Sequence, residues 1–461
     1  MDRPLDRRAA AWALLLLQLA ALVLFGRFLQ DHDWEWGRAR CALLAALALA
    51  TILGRSPARI AAGSRVLQVL LAIAALIALG VNARTGIETI VHAAKTSEIR
   101  LDQGQNTLRA ARLLLRGEDP YARGQLLDLE AYITRFSQRA EVGLLPGAPP
   151  PEVRPLAERW WQTLDPGARE RLLPEPVPPS AAANRERALY GYKYGPILFL
   201  VTAPLQALCG PAAVPLLQLI LWCAWMALLG LALRAAGVGA GGIALALVAI
   251  ALEPNVAANA LYQSASDVWP LAFMAGAVLA WLRGRPVALG LCAAAAVGCK
   301  VLPSALLAPL LFMKAPREGA AFSWAAPLAA LAGVLVLFVP FALWDPLGLW
   351  ADLVLWPSAM RPDNTHWSFY ASETVRAAAR VALLTALAAA AVWLLRSQPR
   401  SAAVCFRWLA AASAAAILAG VAFHNNYAPW FTTWAACAAV ASAFGSSESA
   451  SAQAPAASTN T

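Results

Sequence analysis

Charge is scarce in this chain of 461 residues: Asp, Glu, Lys and Arg together make up only 14% of it. Soluble domains carry about 25% charged residues, so the composition excludes an ordinary soluble protein. With 60% hydrophobic residues, it predicts an all-α polytopic membrane protein. Cysteine is absent from the long polar stretch 83–195, and the seven cysteines present all lie in or beside apolar runs. No CxxC or Cys/His spacing occurs, so neither a disulfide framework nor a zinc site is expected. P-loop, dinucleotide, GxSxG and HExxH motifs are missing wherever their context would support them. No metal and no cofactor are expected. No small-residue cleavage site follows the apolar run 9–29, which predicts a retained signal anchor rather than a signal peptide.

What is present is apolar length. A membrane span needs about 20 apolar residues. The runs 9–29, 66–82, 211–233, 241–258, 321–343, 377–395, 403–423 and 428–444 qualify, and 41–54, 267–282 and 286–302 are weaker. Two further runs, 196–208 and 303–314, are short, since a dozen helical residues cover only ~18–20 Å. They predict half-helices, which a membrane admits where protein or a wet cavity receives their ends. The total is about 11–13 transmembrane or half-membrane helices.

The formal charge of +10 reports topology rather than nucleic-acid binding, because the basic residues sit in short loops. Arg3, Arg7 and Arg8, then Arg55, Arg59 and Arg65, then Arg283 and Arg285, then Lys314 and Arg317, then Arg396, Arg400 and Arg407 fall on one side if 303–314 completes a crossing begun by 286–302 and 196–208 dips in and returns. By the positive-inside rule that side is cytoplasmic. The expected order is three N-terminal helices (1–82), an extracytoplasmic region (83–195), a transmembrane core with half-helices (196–445) and a disordered cytoplasmic tail (446–461). Polar residues then gather on the outer face.

Within 83–195, residues 98–117 have helical periodicity, with Leu101, Leu108, Leu115 and the alanines on one side. "GEDPY" at 117–121 ends that helix, with Gly at the C-terminal cap and Pro beyond. Residues 146–179 are rich in proline and charge, as in a loop-rich insertion. Glu98 and Asp102 are spaced i, i+4 and would share a helical face. Paired carboxylates separate in pKa, which leaves one as a base. The plain alternative is a solvated face with Arg100 and Arg109 nearby.

"KYGP" at 193–196 and "KVLP" at 300–303 both read Lys-x-x-Pro at the start of a half-helix. Proline suits a first helical turn, and the free N–H groups and dipole of a helix start attract anions. Lys193 and Lys300 would add full charge to a phosphate site. Snorkelling is the alternative, although Lys300 ends a wholly apolar approach where an ionisable residue is costly. "YQSASD" at 262–267, with Gln263 and Asp267, and "RPDNTHW" at 361–367, with His366, are polar islands at outer span ends. His424, with Asn425, Asn426 and Tyr427, is either a loop cap or a headgroup contact. Trp344, Trp350, Trp356 and Trp367 fit an interfacial belt.

Taken in order, several pieces resemble a GT-C-fold integral membrane glycosyltransferase, with glycosyltransferase family 87 the nearest group. These are Asp102, Ala110-Ala111, Leu114-Leu115, Gly117 and Pro120-Tyr121, then "YKYGPILFLVTAPL", then the run from "ALYQSASD" through "RGR" to "CKVLP". That family is polyprenyl-phosphate-mannose-dependent mannosyltransferase-like. "LYQSAS" departs from it by lacking the glycine and asparagine of Gly-Gln-x-Asn. The resemblance implies an inverting hexosyltransferase, with mannose as the sugar, on the outer face of the cell membrane. Its partners would be a polyprenyl-phosphate sugar donor, a lipid or glycan acceptor and membrane lipids. It strengthens Asp102 as base and Lys300 toward the donor phosphate, beside the residue reading of Glu98 as a second carboxylate and of Lys193 and His424 on the phosphate side. Tyr121, Gln263, Asp267 and His366 would contact substrate. The alternatives are a lipid or polysaccharide transporter, which needs charge along a path to the cytoplasmic face, and a catalytically inactive homologue.

Overall fold

The computed structural model describes residues 65–97, 99–100, 102–121, 192, 194–253, 255–301, 303–316, 322–350, 353, 371–420 and 427–444. The expected spans 9–29 and 41–54, the insertion, the tail, Glu98, Lys193, His366 and His424 lie outside them. Among the described residues there is no strand. Five helical segments are long and apolar enough to cross a membrane: Ala72–Thr96, Ile197–Ala235, Ala325–Trp344, Thr374–Ser397 and Ala402–Ala419. The chain is an all-α polytopic membrane protein.

In chain order the α-helices are α1 (Arg65–Thr96), α2 (Asp102–Leu115), α3 (Ile197–Cys209), α4 (Ala213–Ala235), α5 (Ala240–Ala251), α6 (Val268–Leu282) and α7 (Pro286–Cys299). They continue with α8 (Pro303–Leu311), α9 (Ala325–Trp344), α10 (Pro346–Trp350), α11 (Glu373–Ser397), α12 (Ala402–Ala419) and α13 (Ala428–Phe444). The main buried core is built from α4, α5, α6, α7 and α8 with α12 and α13, and includes Trp225, Leu229, Met274, Val278, Leu310, Phe406 and Trp434.

Small residues set the closest helix contact. Gly290, Ala294 and Gly298 recur every four residues on one face of α7. A Cβ on Gly290 would strike the Ala326 carbonyl, and one on Gly333 would come within 2.6 Å of Ala294 Cβ. Without a hydrophobic drive between helices in lipid, such small-residue seams hold them by close packing. Other positions of α9 stay apolar and exposed, with Val336 and Leu343 at 73% and 81%, as lipid contact requires.

Two boundaries differ from the sequence expectation. Helix α1 continues 14 residues beyond position 82, with donors on its polar side chains bonded to backbone carbonyls or to a neighbouring side chain. Asn82 Nδ2 donates to the Ala251 carbonyl at 2.8 Å, and Thr85 and Thr89 bond back one turn. Arg84 pairs with Glu88 at i, i+4. The expected span 241–258 is divided: α5 stops at Ala251 and a π-helical turn runs Val256–Tyr262. Pro254 supplies no N–H at the break. Glu253, buried, accepts from Asn255 Nδ2 at 2.6 Å and from Val256 N–H at 2.8 Å, capping the second piece.

The two short runs do form short helices, α3 and α8. A 3-10 turn (Gly210–Ala212), entered through Gly210 at φ 58°, separates α3 from α4, and the two helices pack on one another across it.

Candidate active site

The two Lys-x-x-Pro segments, 107 residues apart in sequence, meet in space. The Gly195 N–H donates to the Cys299 carbonyl at 3.0 Å. A Cβ on Gly195 would collide with the Gly298 carbonyl, so only glycine permits this approach. The segment leading into α3 therefore lies against the end of α7, four residues before α8 begins. Behind them, the Tyr121 hydroxyl donates to the Tyr194 carbonyl and the Tyr192 hydroxyl to the Gly195 carbonyl, each at 3.0 Å. Tyr121, Tyr192, Phe199 and Phe341 interlock edge to face with centroids 5.1 to 5.7 Å apart, a favoured geometry for aromatic rings.

At the mouth of this nest lies an ion pair. Helix α7 ends at Cys299, and Lys300 leaves it with an extended backbone, φ −146° and ψ 141°. Its Nζ lies 2.6 Å from Asp267 Oδ1, with only 12% and 5% of the two side chains exposed. Trp430 Nε1 donates to the same oxygen at 2.9 Å. The rings of Tyr194 and Tyr427 each lie 5.6 Å from Nζ. An ammonium has three N–H donors, so the Asp267 bond leaves Lys300 capacity toward a further acceptor.

Asp267 is fixed by its own segment. Gln218 of α4 donates to the Ala265 carbonyl at 2.6 Å and accepts from Trp269 Nε1 at 2.5 Å. Ser264 holds φ 63° and is 1% exposed. Its hydroxyl has no hydrogen-bond partner among the described residues. A non-glycine residue held at positive φ marks local strain. Gln103 Oε1 accepts from both the N–H and the hydroxyl of Ser266 at 3.0 Å. The Arg100 guanidinium stacks 4.1 Å from the centre of the Tyr262 ring. The first turn of α2, which begins at Asp102, is therefore docked on the segment that leads into Asp267.

The far end of α2 stops as the sequence predicts. Gly117 sits at φ 72°, its N–H bonds to the Leu114 carbonyl, and Glu118 N–H bonds to the Leu113 carbonyl. These are the two bonds of a Schellman cap. Asp119 Oδ1 then accepts from Tyr121 N–H at 2.9 Å and turns the chain so that Tyr121 enters the nest.

Of the candidates named from sequence, Asp267, Lys300 and Tyr121 come together, the first two in direct contact. Gln263 is half-buried just after the π-helical turn, where its N–H bonds to the Ala258 carbonyl. Asp102 is the first residue of α2, and its side chain lies outside the described residues. Ile99 and Arg100 are non-helical and the helix starts at Asp102; the shared face expected for Glu98 and Asp102 rests on side chains outside the described residues. The buried face of α2 also differs from expectation: Asn106, Thr107, Leu108, Ala110 and Ala111 face inward, while Leu115 is 50% exposed. Trp344 and Trp350 are half exposed, in keeping with an interfacial belt.

Gln103, Ser266, Trp430 and Tyr194 were not singled out from sequence. For Ser266 and Tyr194 a signal existed, since each lies within a named motif. For Gln103 and Trp430 none did.

Residues 192–419, about half of the chain, match the model of glycosyltransferase family 87. No curated protein and no solved structure matches the chain. The family match covers α3 through α12 and includes Gln263, Asp267 and Lys300; α2 with Asp102, and Tyr121, lie before it.

Proposed function

We propose, for a membrane glycosyltransferase whose residues 192–419 carry the family 87 core, transfer of a hexose from a polyprenyl-phosphate sugar. The first-choice sugar is mannose, the acceptor is an envelope lipid or glycan, and the reaction takes place on the extracytoplasmic face of the cell membrane. The reading keeps a GT-C-type arrangement in which the donor enters from the bilayer. The observation that carries it is the convergence at Lys300: the segment leading into α3, the end of α7, a charged pair and the first turn of α2 meet at one place.

On this reading Lys300 binds the donor phosphate with the donors that Asp267 leaves available. Asp267 and Trp430 hold Nζ in position. The pair is neutral as a unit, so the attraction for an anion comes from the N-terminal ends of α3 and α8 as well. Lys193 and His424 complete the phosphate side, and Tyr121, Gln263 and His366 the sugar and acceptor side. Asp102 takes the proton of the acceptor hydroxyl, with Glu98 as the second carboxylate of the proposal. The acceptor oxygen forms its bond to the anomeric carbon as the bond to the phosphate oxygen breaks. Configuration inverts, and polyprenyl phosphate departs with the bonding electrons.

The test is direct. Purified full-length protein is incubated with a panel of polyprenyl-phosphate hexoses and a lipid or oligosaccharide acceptor. Release of polyprenyl phosphate and the anomer of the product are measured. A product of inverted configuration supports the reading. Donor translocation across vesicles without bond cleavage favours the transporter, and binding without turnover favours an inactive homologue.

A further inference from the structure

Helix α6 has the Lys300–Asp267 pair at its N-terminal end. At its other end, about 22 Å away for 15 residues of helix, is a second polar feature that this chemistry does not use. An open cavity of about 360 Å³ is lined by Leu231, Arg234 and Ala235 at the end of α4, Leu282 and Arg283 at the end of α6, and Pro316 beyond α8. Trp281 Nε1 donates to the Lys314 carbonyl at 3.2 Å, which anchors the Lys314–Pro316 segment to the same rim.

The arginines are not needed to finish their helices. At the end of α4 the Val238 N–H bonds to the Leu233 carbonyl and the Gly237 N–H to the Arg234 carbonyl. At the end of α6 the Arg285 N–H bonds to the Ala280 carbonyl and the Gly284 N–H to the Trp281 carbonyl. The Leu233 and Arg234 carbonyls and the Ala280 and Trp281 carbonyls are thus met by backbone. The ion pairs among the described residues are Arg84–Glu88 and Lys300–Asp267, so neither Arg234 nor Arg283 has an acidic partner there. Two arginines from different helix ends line one cavity, and a guanidinium offers a planar fork matched to phosphate oxygens.

We propose that this cavity binds a phosphate-bearing anion between Arg234 and Arg283, at the membrane end opposite the Lys300–Asp267 pair. Basic pockets between helix ends on the cytoplasmic side suit anionic lipid headgroups, and a soluble phosphate ester presents the same oxygens.

The test uses lipid-stripped full-length protein in neutral detergent. Mixed micelles of phosphatidylglycerol or phosphatidylcholine, and separately glycerol 3-phosphate, are titrated in. Thermal unfolding and retained lipid by mass spectrometry are followed. Phosphatidylglycerol should raise the unfolding temperature and phosphatidylcholine should not. Arg234→Gln and Arg283→Gln should each weaken the apparent affinity about fivefold, the scale of one basic residue at an anionic surface. The double variant should lose at least about tenfold. Arg285→Gln, beside the cavity but not lining it, should match wild type. A shift with glycerol 3-phosphate at similar concentration identifies a soluble anion as the ligand, and a shift with phosphatidylglycerol alone identifies a headgroup. Wild-type affinity in the double variant, or an equal loss in Arg285→Gln, overturns the site in favour of diffuse surface charge.

Discussion

Gln103 accepts two hydrogen bonds from Ser266, one from the backbone N–H and one from the hydroxyl, both at 3.0 Å. This single side chain joins α2, outside the family match, to the segment that carries Asp267 inside it. Gln103→Ala leaves the Ser266 donors without that acceptor, a cost of about 1–3 kcal/mol where the groups are buried. It should also loosen the first turn of α2. The expected result is a fall in turnover with donor affinity kept, and recovery in Gln103→Glu, which retains the acceptor oxygens. Equal loss of donor binding and turnover would mean that Gln103 only holds the fold.

The Lys300–Asp267 pair allows stability and function to be separated. Either Lys300→Met or Asp267→Leu alone leaves a buried charge without its partner, a loss of about 3–5 kcal/mol. Replacing both with apolar residues of similar size is often neutral. The double variant should therefore unfold near the wild-type temperature and still fail to bind the donor. A double variant that is stable and binds the donor normally would reduce the pair to a structural contact.

Gly195→Ala probes the contact between the segment leading into α3 and the end of α7. The added methyl has no space beside the Gly298 carbonyl, and overpacking costs about 1–3 kcal/mol. The variant should unfold at lower temperature and lose donor affinity. Unfolding at the wild-type temperature would show that the α3 and α7 backbones are further apart.

Sidedness is tested by single cysteines at Gly147, Asp363 and Arg285 in a chain stripped of its native cysteines. By the positive-inside rule the first two are expected outside and the third inside. Membrane-impermeant reagent added to intact cells should label Gly147→Cys and Asp363→Cys and spare Arg285→Cys. Labelling of Gly147→Cys and Arg285→Cys from the same side contradicts the topology.

Much of the helical order was legible because a membrane span is an uninterrupted apolar run, and α4, α9, α12 and α13 begin and end within a few residues of the runs that predict them. The half-helices were legible from length and from Pro196 and Pro303. Hydropathy failed at α1, where Asn82, Thr85 and Thr89 look like loop residues in sequence but are bonded to backbone carbonyls. It failed again at Glu253, whose capping role depends on a break that an apolar average conceals. In the site, Lys300 was visible as a cation at the end of an apolar approach. Its pairing with Asp267, 33 residues earlier, was not, because α6 and α7 form a hairpin whose register only packing determines. Trp430 resembles any other tryptophan near a span end until its indole is seen on Asp267.

The central claim is that Asp102, at the start of α2, removes the acceptor proton in a transfer from polyprenyl-phosphate hexose. A general base contributes typically about 10²–10⁴-fold, and Asn keeps the shape of Asp without taking the proton. The decisive measurement is single-turnover transfer by purified Asp102→Asn and Glu98→Gln, with donor affinity determined on the same samples. The account predicts a loss of about 10²–10⁴-fold in Asp102→Asn with unchanged donor affinity, and a smaller loss in Glu98→Gln. Near-normal turnover in Asp102→Asn would contradict it.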